Sequence, residues 1–328
     1  MKLRAGVIGT GSIGKNHVRV LSDLQGIELV GSCDVSSSLG DTLYGKPVYQ
    51  HLEELLRNEL DYVVISVPTS EHHSVAAQVA EAGVNALIEK PLAIDSHTCI
   101  KIEKEFVSRK LLAAVGHIER FNPAAVKAKS VIDTLSPIVQ ISTRRQGPYS
   151  GRVSDVGVTK DLAIHDIDLV RWLSESEYES VSAYSIFSNA NEHEDAVNIV
   201  AKLKNGTVVN HVVNWINPYK ERLQVILGQR GSFVIDTMSG ELSVHKEANQ
   251  LIAWEEIARR KGSFEGETIN MAFEKKEPLV KEHENFRDAL QGKSAMIVSL
   301  QDGRRNLEVA EAILKSCKTN QAITLETP

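Results

Sequence analysis

The run Leu3-Arg-Ala-Gly-Val-Ile-Gly-Thr-Gly-Ser-Ile-Gly14 constrains this chain more than any other stretch. An apolar segment, Ala5 to Ile8, enters Gly9-x-Gly11-x-x-Gly14, and a helix-compatible segment runs from Ser12 to about Asp23. A second apolar segment, Ile27 to Cys33, ends on Asp34, twenty residues past Gly14. Each part has a physical task. Gly9 permits a tight turn out of a strand, Gly11 lets backbone approach a pyrophosphate, and Gly14 lets the helix pack closely on the strand. The helix start at Ser12 and Ile13 then offers its N-terminus to the phosphate charge. Asp34 falls where a carboxylate accepts hydrogen bonds from the ribose 2′-OH of NAD and repels the 2′-phosphate of NADP. Glycine-rich turns are common, but strand, helix, second strand and terminal Asp in register make a dinucleotide the expected ligand and NAD the expected cofactor.

From residue 1 to about 120 strand and helix patterns alternate, which predicts an α/β domain with a doubly wound parallel sheet. Strands are expected at Lys46 to Tyr49, Asp61 to Val67, Asn85 to Ile88 and Leu111 to Gly116. Helices are expected at His51 to Arg57, Val75 to Ala82 and Ser96 to Arg109. The stretch after Asp34 is too broken by Ser and Gly for more than a short helix. Composition changes after His117-Ile-Glu-Arg-Phe-Asn-Pro123, so the domains are drawn as 1–120 and 121–328. The second pattern begins with a helix (Pro123 to Leu135), a strand (Ile138 to Arg145) and a helix (Thr159 to Leu173). Period-two alternation follows near 180–187, 195–203, 207–216, 222–228 and 232–237, and amphipathic helices span 277–292 and 302–316. This is an α+β second domain with antiparallel strands.

At 328 residues the chain can bury two cores. Its net charge of −6 carries no basic surface for nucleic acid or an anionic membrane. Cys33, Cys99 and Cys317 are scattered, which suits a reducing cytoplasm and argues against disulfides or a zinc–thiolate site. The longest apolar runs are strand-sized, and the first strand is expected to start without a leader segment before it. A cytoplasmic protein with no metal is the expectation.

Four clusters carry possible chemistry. In Glu89-Lys90-Pro91, the proline biases Lys90 away from helix and projects it at the carboxyl edge of the sheet. Lys90 reads either as a donor to a substrate oxygen beside a nicotinamide, with Glu89 on the adjoining ribose, or as half of a solvated pair. In Asp161-Leu-Ala-Ile-His165-Asp-Ile-Asp168, helical spacing places Asp161, His165, Asp168 and Trp172 on one face. A histidine oriented by a carboxylate takes a hydroxyl proton as hydride leaves carbon. The plainer reading is Asp161 as a helix cap and His165 as a half-buried helix residue. Glu119, Arg120 and Asn122 either line a substrate cleft or hold a hinge. Arg144 to Tyr149 either meets a diphosphate or sugar, or is a solvated loop. Pro68, Thr69 and His72, past the strand ending at Val67, lie within expected reach of the cofactor, while His73 faces solvent.

Taken together, Gly9 to Gly14, Glu89-Lys90-Pro91 and Asp161-x-x-x-His165 resemble the glucose–fructose oxidoreductase and inositol dehydrogenase (Gfo/Idh/MocA) family in order and approximate spacing. The resemblance spans essentially the whole chain. It implies a Rossmann domain followed by a domain with a large, mostly antiparallel open sheet that mediates dimer or tetramer formation. It also implies that Lys90 and His165 flank the substrate hydroxyl, with Asp161 facing the substrate. The runs Val115 to Pro123, Asp155-Val-Gly-Val and Asp161 to Asp168 are similar to those of the family's nucleotide-sugar 3-dehydrogenases. The implied reaction is oxidation of a secondary ring hydroxyl, at C3 of a UDP-linked N-acetylhexosamine such as UDP-N-acetylglucosamine. The alternatives are an inositol, a free sugar or a sugar phosphate as substrate, or a non-catalytic NAD-binding sensor. The broken stretch after Asp34 departs from the family, where a full helix is usual.

Overall fold

The computed structural model describes residues 2–36, 42–149, 151, 156–188, 192–246 and 266–325. By compactness the chain forms two units that are not contiguous in sequence. The first comprises Met1–Phe121, Ser150–Asp168 and Lys276–Glu311, the second Asn122–Tyr149, Leu169–Lys275 and Ala312–Pro328. The cut drawn from sequence at 120/121 marks only the first crossing between them.

In the first unit the chain runs β1 (Leu3–Ile8), α1 (Ser12–Asp23), β2 (Ile27–Cys33), β3 (Thr42–Leu43), β4 (Lys46–Tyr49) and α2 (Leu52–Leu56). It continues through β5 (Tyr62–Ile65), α3 (His72–Glu81), β6 (Asn85–Glu89), α4 (Ser96–Ser108) and β7 (Ala113–Gly116). The sheet order is β3-β4-β2-β1-β5-β6-β7. Only β3, a two-residue strand not foreseen in the sequence, runs antiparallel to its neighbour. All four residues of β5 are buried, as expected of a parallel strand covered on both faces. The expected short helix after Asp34 falls in part on residues 37–41, outside the described residues.

Register sets the site. Ile8 pairs with Cys33 and with Ile65, Ile65 pairs with Ile88, and Glu89 pairs with Gly116. Gly9, Asp34, Ser66, Lys90 and His117 therefore leave the sheet along one edge, its carboxyl edge. The strand order departs in opposite directions from β1 there, the switch point at which open α/β sheets bind ligands.

One face of the sheet is covered by Val18 and Leu21 of α1 and by Phe286, which packs edge-on against Tyr62 with ring centroids 5.2 Å apart. Phe286 belongs to the helix Pro278–Leu290. Its amphipathic face was legible in the sequence, but its destination is the first unit, not the second.

The second unit holds α5 (Pro123–Val131), β8 (Ile138–Pro148), the end of α6 (Ile164–Ser174), β9 (Tyr178–Ile186), β10 (Ala196–Leu203), β11 (Val208–Asn214) and β12 (Ile216–Gly228). After these come β13 (Gly231–Asp236), β14 (Glu241–His245), β15 (Thr268–Asn270) and β16 (Ile323–Thr324). They form a nine-stranded sheet, order β15-β14-β13-β12-β8-β11-β10-β9-β16. Every neighbouring pair is antiparallel except β8 and β11. The short strands β14, β15 and β16 escaped the sequence reading because two to five residues show too little alternation. Beneath the sheet, His211 is held between Thr143 Oγ1 (2.7 Å) and Tyr178 OH (2.8 Å), so a buried imidazole is satisfied at both nitrogens.

Candidate active site

The glycine fingerprint has the geometry its residue types demand. Gly9 has φ +86°, and a Cβ there would lie 2.7 Å from the backbone of Ser66. A Cβ on Gly14 would sit 1.9 Å from the Gly9 carbonyl oxygen, so α1 closes on the turn only with glycine there. A Cβ on Gly11 would meet nothing within 4 Å. Gly11 caps α1 without a side-chain hydrogen bond, and the first turn holds no acidic residue. The N–H groups at Ser12 and Ile13 thus start a helix whose N-terminus suits a diphosphate.

At the end of β2, Asp34 Oδ2 accepts from the Thr10 N–H (2.7 Å) and hydroxyl (2.9 Å), and Oδ1 accepts from the Ser36 N–H (2.9 Å). Partial burial pushes this carboxyl up, but the Thr10 and Ser36 donors and the Lys15 charge outweigh it and hold it below the usual range. A fixed anion thus stands beside the fingerprint. These residues fit NAD: an open phosphate cradle and a carboxylate for a ribose diol.

Glu89 ends β6 and Lys90 follows it. Lys90 Nζ donates to the Asp161 carbonyl oxygen (2.8 Å) and to Asp161 Oδ1 (2.9 Å), with both side chains largely buried. The Lys90–Pro91 peptide is cis. Asp161 lies in a π-type turn, Thr159–Ala163, that leads into α6, where one continuous helix was expected. Such turns recur at functional sites. His165, 8% exposed, follows one turn later on the same helical segment.

Glu89 is itself buried. Its Oε1 accepts from His17 Nε2 (2.9 Å) and its Oε2 from the Lys90 N–H (3.1 Å). Burial pushes the Glu89 carboxyl up, and the His17 hydrogen bond with the charges of His17 and Lys90 brings it below the ordinary range. His17 Nδ1 lies 2.8 Å from His283 Nε2. Next to this chain, burial first and the Glu89 charge second push the carboxyl of Glu282 well above its usual range. Neither oxygen of Glu282 has a hydrogen-bond partner among the described residues, so its charged form is disfavoured beside the Glu89 carboxylate.

Asp168, three residues past His165, lies on the same α6 helix, as its spacing implied. It is fully buried in an ion pair: Arg120 reaches it through Nε (2.8 Å) and Nη2 (2.6 Å), and Asn306 Nδ2 donates at 2.7 Å. His117, 3.9 Å from Asp168, is kept neutral by burial. Arg120 also lies 3.5 Å from Asp302, so the guanidinium read as a possible substrate contact is held by carboxylates of its own unit. Glu119 is buried.

Thr69 opens a 3-10 turn after Pro68. His72, expected near the cofactor, is 1% exposed with its ring between the carbonyls of Leu92 (3.2 Å) and Val67 (3.1 Å), and burial keeps it neutral. It braces two loops at the edge. Three further expected residues belong to the second unit. Asn122 caps α5, accepting from the Ala124 N–H and donating to the Thr237 carbonyl. Arg144 pairs with Glu221 at 3.2 Å, and Tyr149 packs on Trp215 with centroids 5.0 Å apart. Sequence reasoning missed Glu282, and also His17, His283 and Asn306, whose partners lie far away in the chain. Only the position of His17, three residues past Gly14, was a local signal.

Residues 3–117 match an oxidoreductase family's NAD-binding Rossmann fold, and residues 144–325 match that family's C-terminal alpha/beta domain. The chain belongs to this Gfo/Idh/MocA family and is an NAD-dependent oxidoreductase. It is 27% identical over 311 residues to UDP-N-acetylglucosamine 3-dehydrogenase of Acidithiobacillus ferrooxidans, covering 94% of this chain and 95% of that protein. It is 33% identical over 205 residues to an inositol 2-dehydrogenase of Cereibacter sphaeroides, covering 60% of each. The solved structure of the Acidithiobacillus ferrooxidans UDP-N-acetylglucosamine 3-dehydrogenase superposes with a TM-score of 0.86 at 25% identity, covering 96% of this chain and 97% of that one. No helix among the described residues is long and apolar enough to cross a membrane.

Proposed function

We propose that this protein oxidises a secondary ring hydroxyl, at C3 of a nucleotide-linked N-acetylhexosamine such as UDP-N-acetylglucosamine. The observation that carries the chemistry is the Lys90–Asp161 pair at the carboxyl edge of the sheet, with His165 one helical turn beyond. Oxidising a secondary alcohol removes a hydride from carbon and a proton from oxygen. Bound NAD supplies the hydride acceptor. Two of the three Lys90 ammonium protons go to Asp161, and the third is left for the substrate oxygen, where it stabilises the alkoxide that forms. His165 takes the hydroxyl proton as general base. Asp161 thus orients the lysine, and Glu89 anchors the peptide from which it projects. Asp34 receives the ribose hydroxyls and selects NAD.

The substrate is supported by the near full-length similarity to a UDP-N-acetylglucosamine 3-dehydrogenase. A second reading, an inositol dehydrogenase, is favoured by higher identity over a shorter stretch. The test is reduction of NAD, followed at 340 nm, with UDP-N-acetylglucosamine, inositol and hexose phosphates in parallel. Turnover with UDP-N-acetylglucosamine alone supports the first reading, and turnover with inositol alone replaces it. Arg144 and Tyr149 are candidate contacts to the nucleotide part, read by a titration of UDP against Arg144→Gln.

The open face of the nine-stranded sheet supports a homo-oligomer. Its rows include Ser182, Val200, Asn210, Ser142 and Val225, and next to them Lys202, Val208, Gln140 and Leu227. Val200 is 59% exposed and Val208 45%, an apolar fraction suited to a second copy of this chain. The free thiols of Cys33, Cys99 and Cys317 support a reducing cytoplasm as its location.

A further inference from the structure

We propose that His17 and His283 are positioning residues for the reaction, acting on Lys90 through the carboxylate of Glu89. The inference rests on the role given to Lys90 above. A dinucleotide fingerprint has no need of a histidine three residues past its last glycine. Here that residue reaches across to the end of β6.

Two hydrogen bonds hold the Glu89 carboxylate, and two neighbouring features back them. His17 Nε2 holds Oε1 at 2.9 Å, and the Lys90 N–H holds Oε2 at 3.1 Å. From behind, His283 Nε2 lies 2.8 Å from His17 Nδ1, with the two rings nearly perpendicular at 87°. From the side, Gly116 on β7 leaves room that any Cβ would take, 2.9 Å from Glu89 Oε1. In either protonation state of His17 its Nε2 carries the proton given to Glu89, because a carboxylate only accepts. Both imidazoles are fully buried, so they hold the carboxylate in one place. Glu89 in turn fixes the peptide from which Lys90 projects toward Asp161. The helix Pro278–Leu290 thus reaches the reacting edge through two side chains, in the way outer ligands orient a metal-binding histidine.

The charged and titratable groups around Glu89 come from every element packed on it. They are His17 on α1, Lys90 beside it, His72 on α3, His117 after β7, and Glu282 with His283 on the helix Pro278–Leu290. With burial disfavouring a charge on His72, His117 and Glu282, His17 is the main donor that offsets burial of the Glu89 anion. Removing it raises the Glu89 carboxyl, and raising the pH favours the anion again.

The experiment compares His17→Leu with His17→Gln, whose amide nitrogen reaches the Nε2 position. The expected result is a kcat for His17→Leu lower by about 10- to 100-fold at pH 7, recovering as pH rises, with His17→Gln within about threefold of the parent. NADH affinity, from fluorescence titration, stays close to the parent in both. Equal loss in both variants at every pH, or loss in neither, overturns the proposal. A parent protein that turns over none of the sugars sinks the reading of the reaction instead. The contact is then decided by nitrogen-15 NMR of the histidine rings, as it also is where His17→Leu fails to fold. An Nε2-protonated His17 whose signal moves in Glu89→Gln supports it, and a His17 deprotonated at Nε2 or unmoved by Glu89→Gln overturns it.

Discussion

Lys90 and Asp161 meet twice, through the carboxylate of Asp161 and through its backbone carbonyl, at 2.9 and 2.8 Å. A carboxylate alone would hold the ammonium by charge. The added carbonyl gives it a direction, because two acceptors from one residue leave the third N–H a narrow cone of approach. The ion pair reads as a device for aiming a donor more than as a source of stability, since burying two charges costs much of what their attraction returns.

Removing one partner separates these roles. Lys90→Met is expected to lower kcat by at least about 100-fold and to destabilise the fold by on the order of 3 kcal/mol, by leaving Asp161 buried without its cation. Lys90→Met with Asp161→Leu is expected to regain most of that stability and none of the activity. Urea unfolding and turnover at 340 nm read the two effects, and a double variant as unstable as the single one contradicts the assignment.

Asp34 gives a prediction about cofactor choice. Replacing it with Ser removes the anion that repels a 2′-phosphate, so the preference for NAD over NADP in kcat/KM is expected to fall by about 100-fold or more, equivalent to roughly 3 kcal/mol. The same carboxyl is held below its usual range by the Thr10 and Ser36 donors acting against burial. A depressed folded value means that its stabilising contribution is present above the unfolded value near 4 and is lost as pH falls through the folded value. The stability gap between the parent and Asp34→Asn is therefore flat at neutral pH and closes in acid, which urea titrations at several pH values check.

What could be read in advance was what is local. The fingerprint and Asp34 are tied by a twenty-residue β–α–β spacing, and Pro91 flags the end of β6 at Lys90. The spacing of Asp161 and His165 marked a helical segment, although the π-type turn between them left no sign in residue type. Arg120 shows where such reading stops. A guanidinium near a domain junction read equally as a substrate contact or a hinge, and nothing local pointed to Asp168, forty-eight residues on, to which it hydrogen-bonds. His17 and His283 are 266 residues apart, and no periodicity or motif joins them. Long-range pairs are settled by which faces pack, and helix amphipathicity states that a face is buried without stating against what.

Arg120 now has a defined expectation. Arg120→Lys keeps the charge but loses the two-pronged contact to Asp168, and a lysine does not replace a fork at such a site. The variant is expected to lose about 2–4 kcal/mol of stability, because Asp168 is fully buried and its remaining donors are too few. Its KM for the sugar is expected to stay within about threefold, as a buried structural pair predicts, a change of well under 1 kcal/mol. A large rise in KM with unchanged unfolding would return Arg120 to the substrate.

Glu282 and Glu89 offer a sharper test, because two neighbouring buried carboxyls behave oppositely. Burial and the Glu89 anion push Glu282 up, while His17 and Lys90 hold Glu89 down against its own burial. A raised folded value means that Glu282 favours the fold fully below the unfolded value near 4.3, and that this contribution is lost as pH rises toward the folded value. Glutamine imitates the neutral acid and cannot ionise in the unfolded chain. Glu282→Gln is therefore expected to match the parent in stability near pH 4 and to exceed it increasingly from pH 5 to 8. Glu89→Gln is expected to do the reverse at neutral pH, weakening the fold by removing the anion that His17 and the Lys90 N–H address. Thermal melts of the two variants across that range check both signs, and a Glu282→Gln protein less stable than the parent at pH 8 would show Glu282 to be the ionised member of the pair.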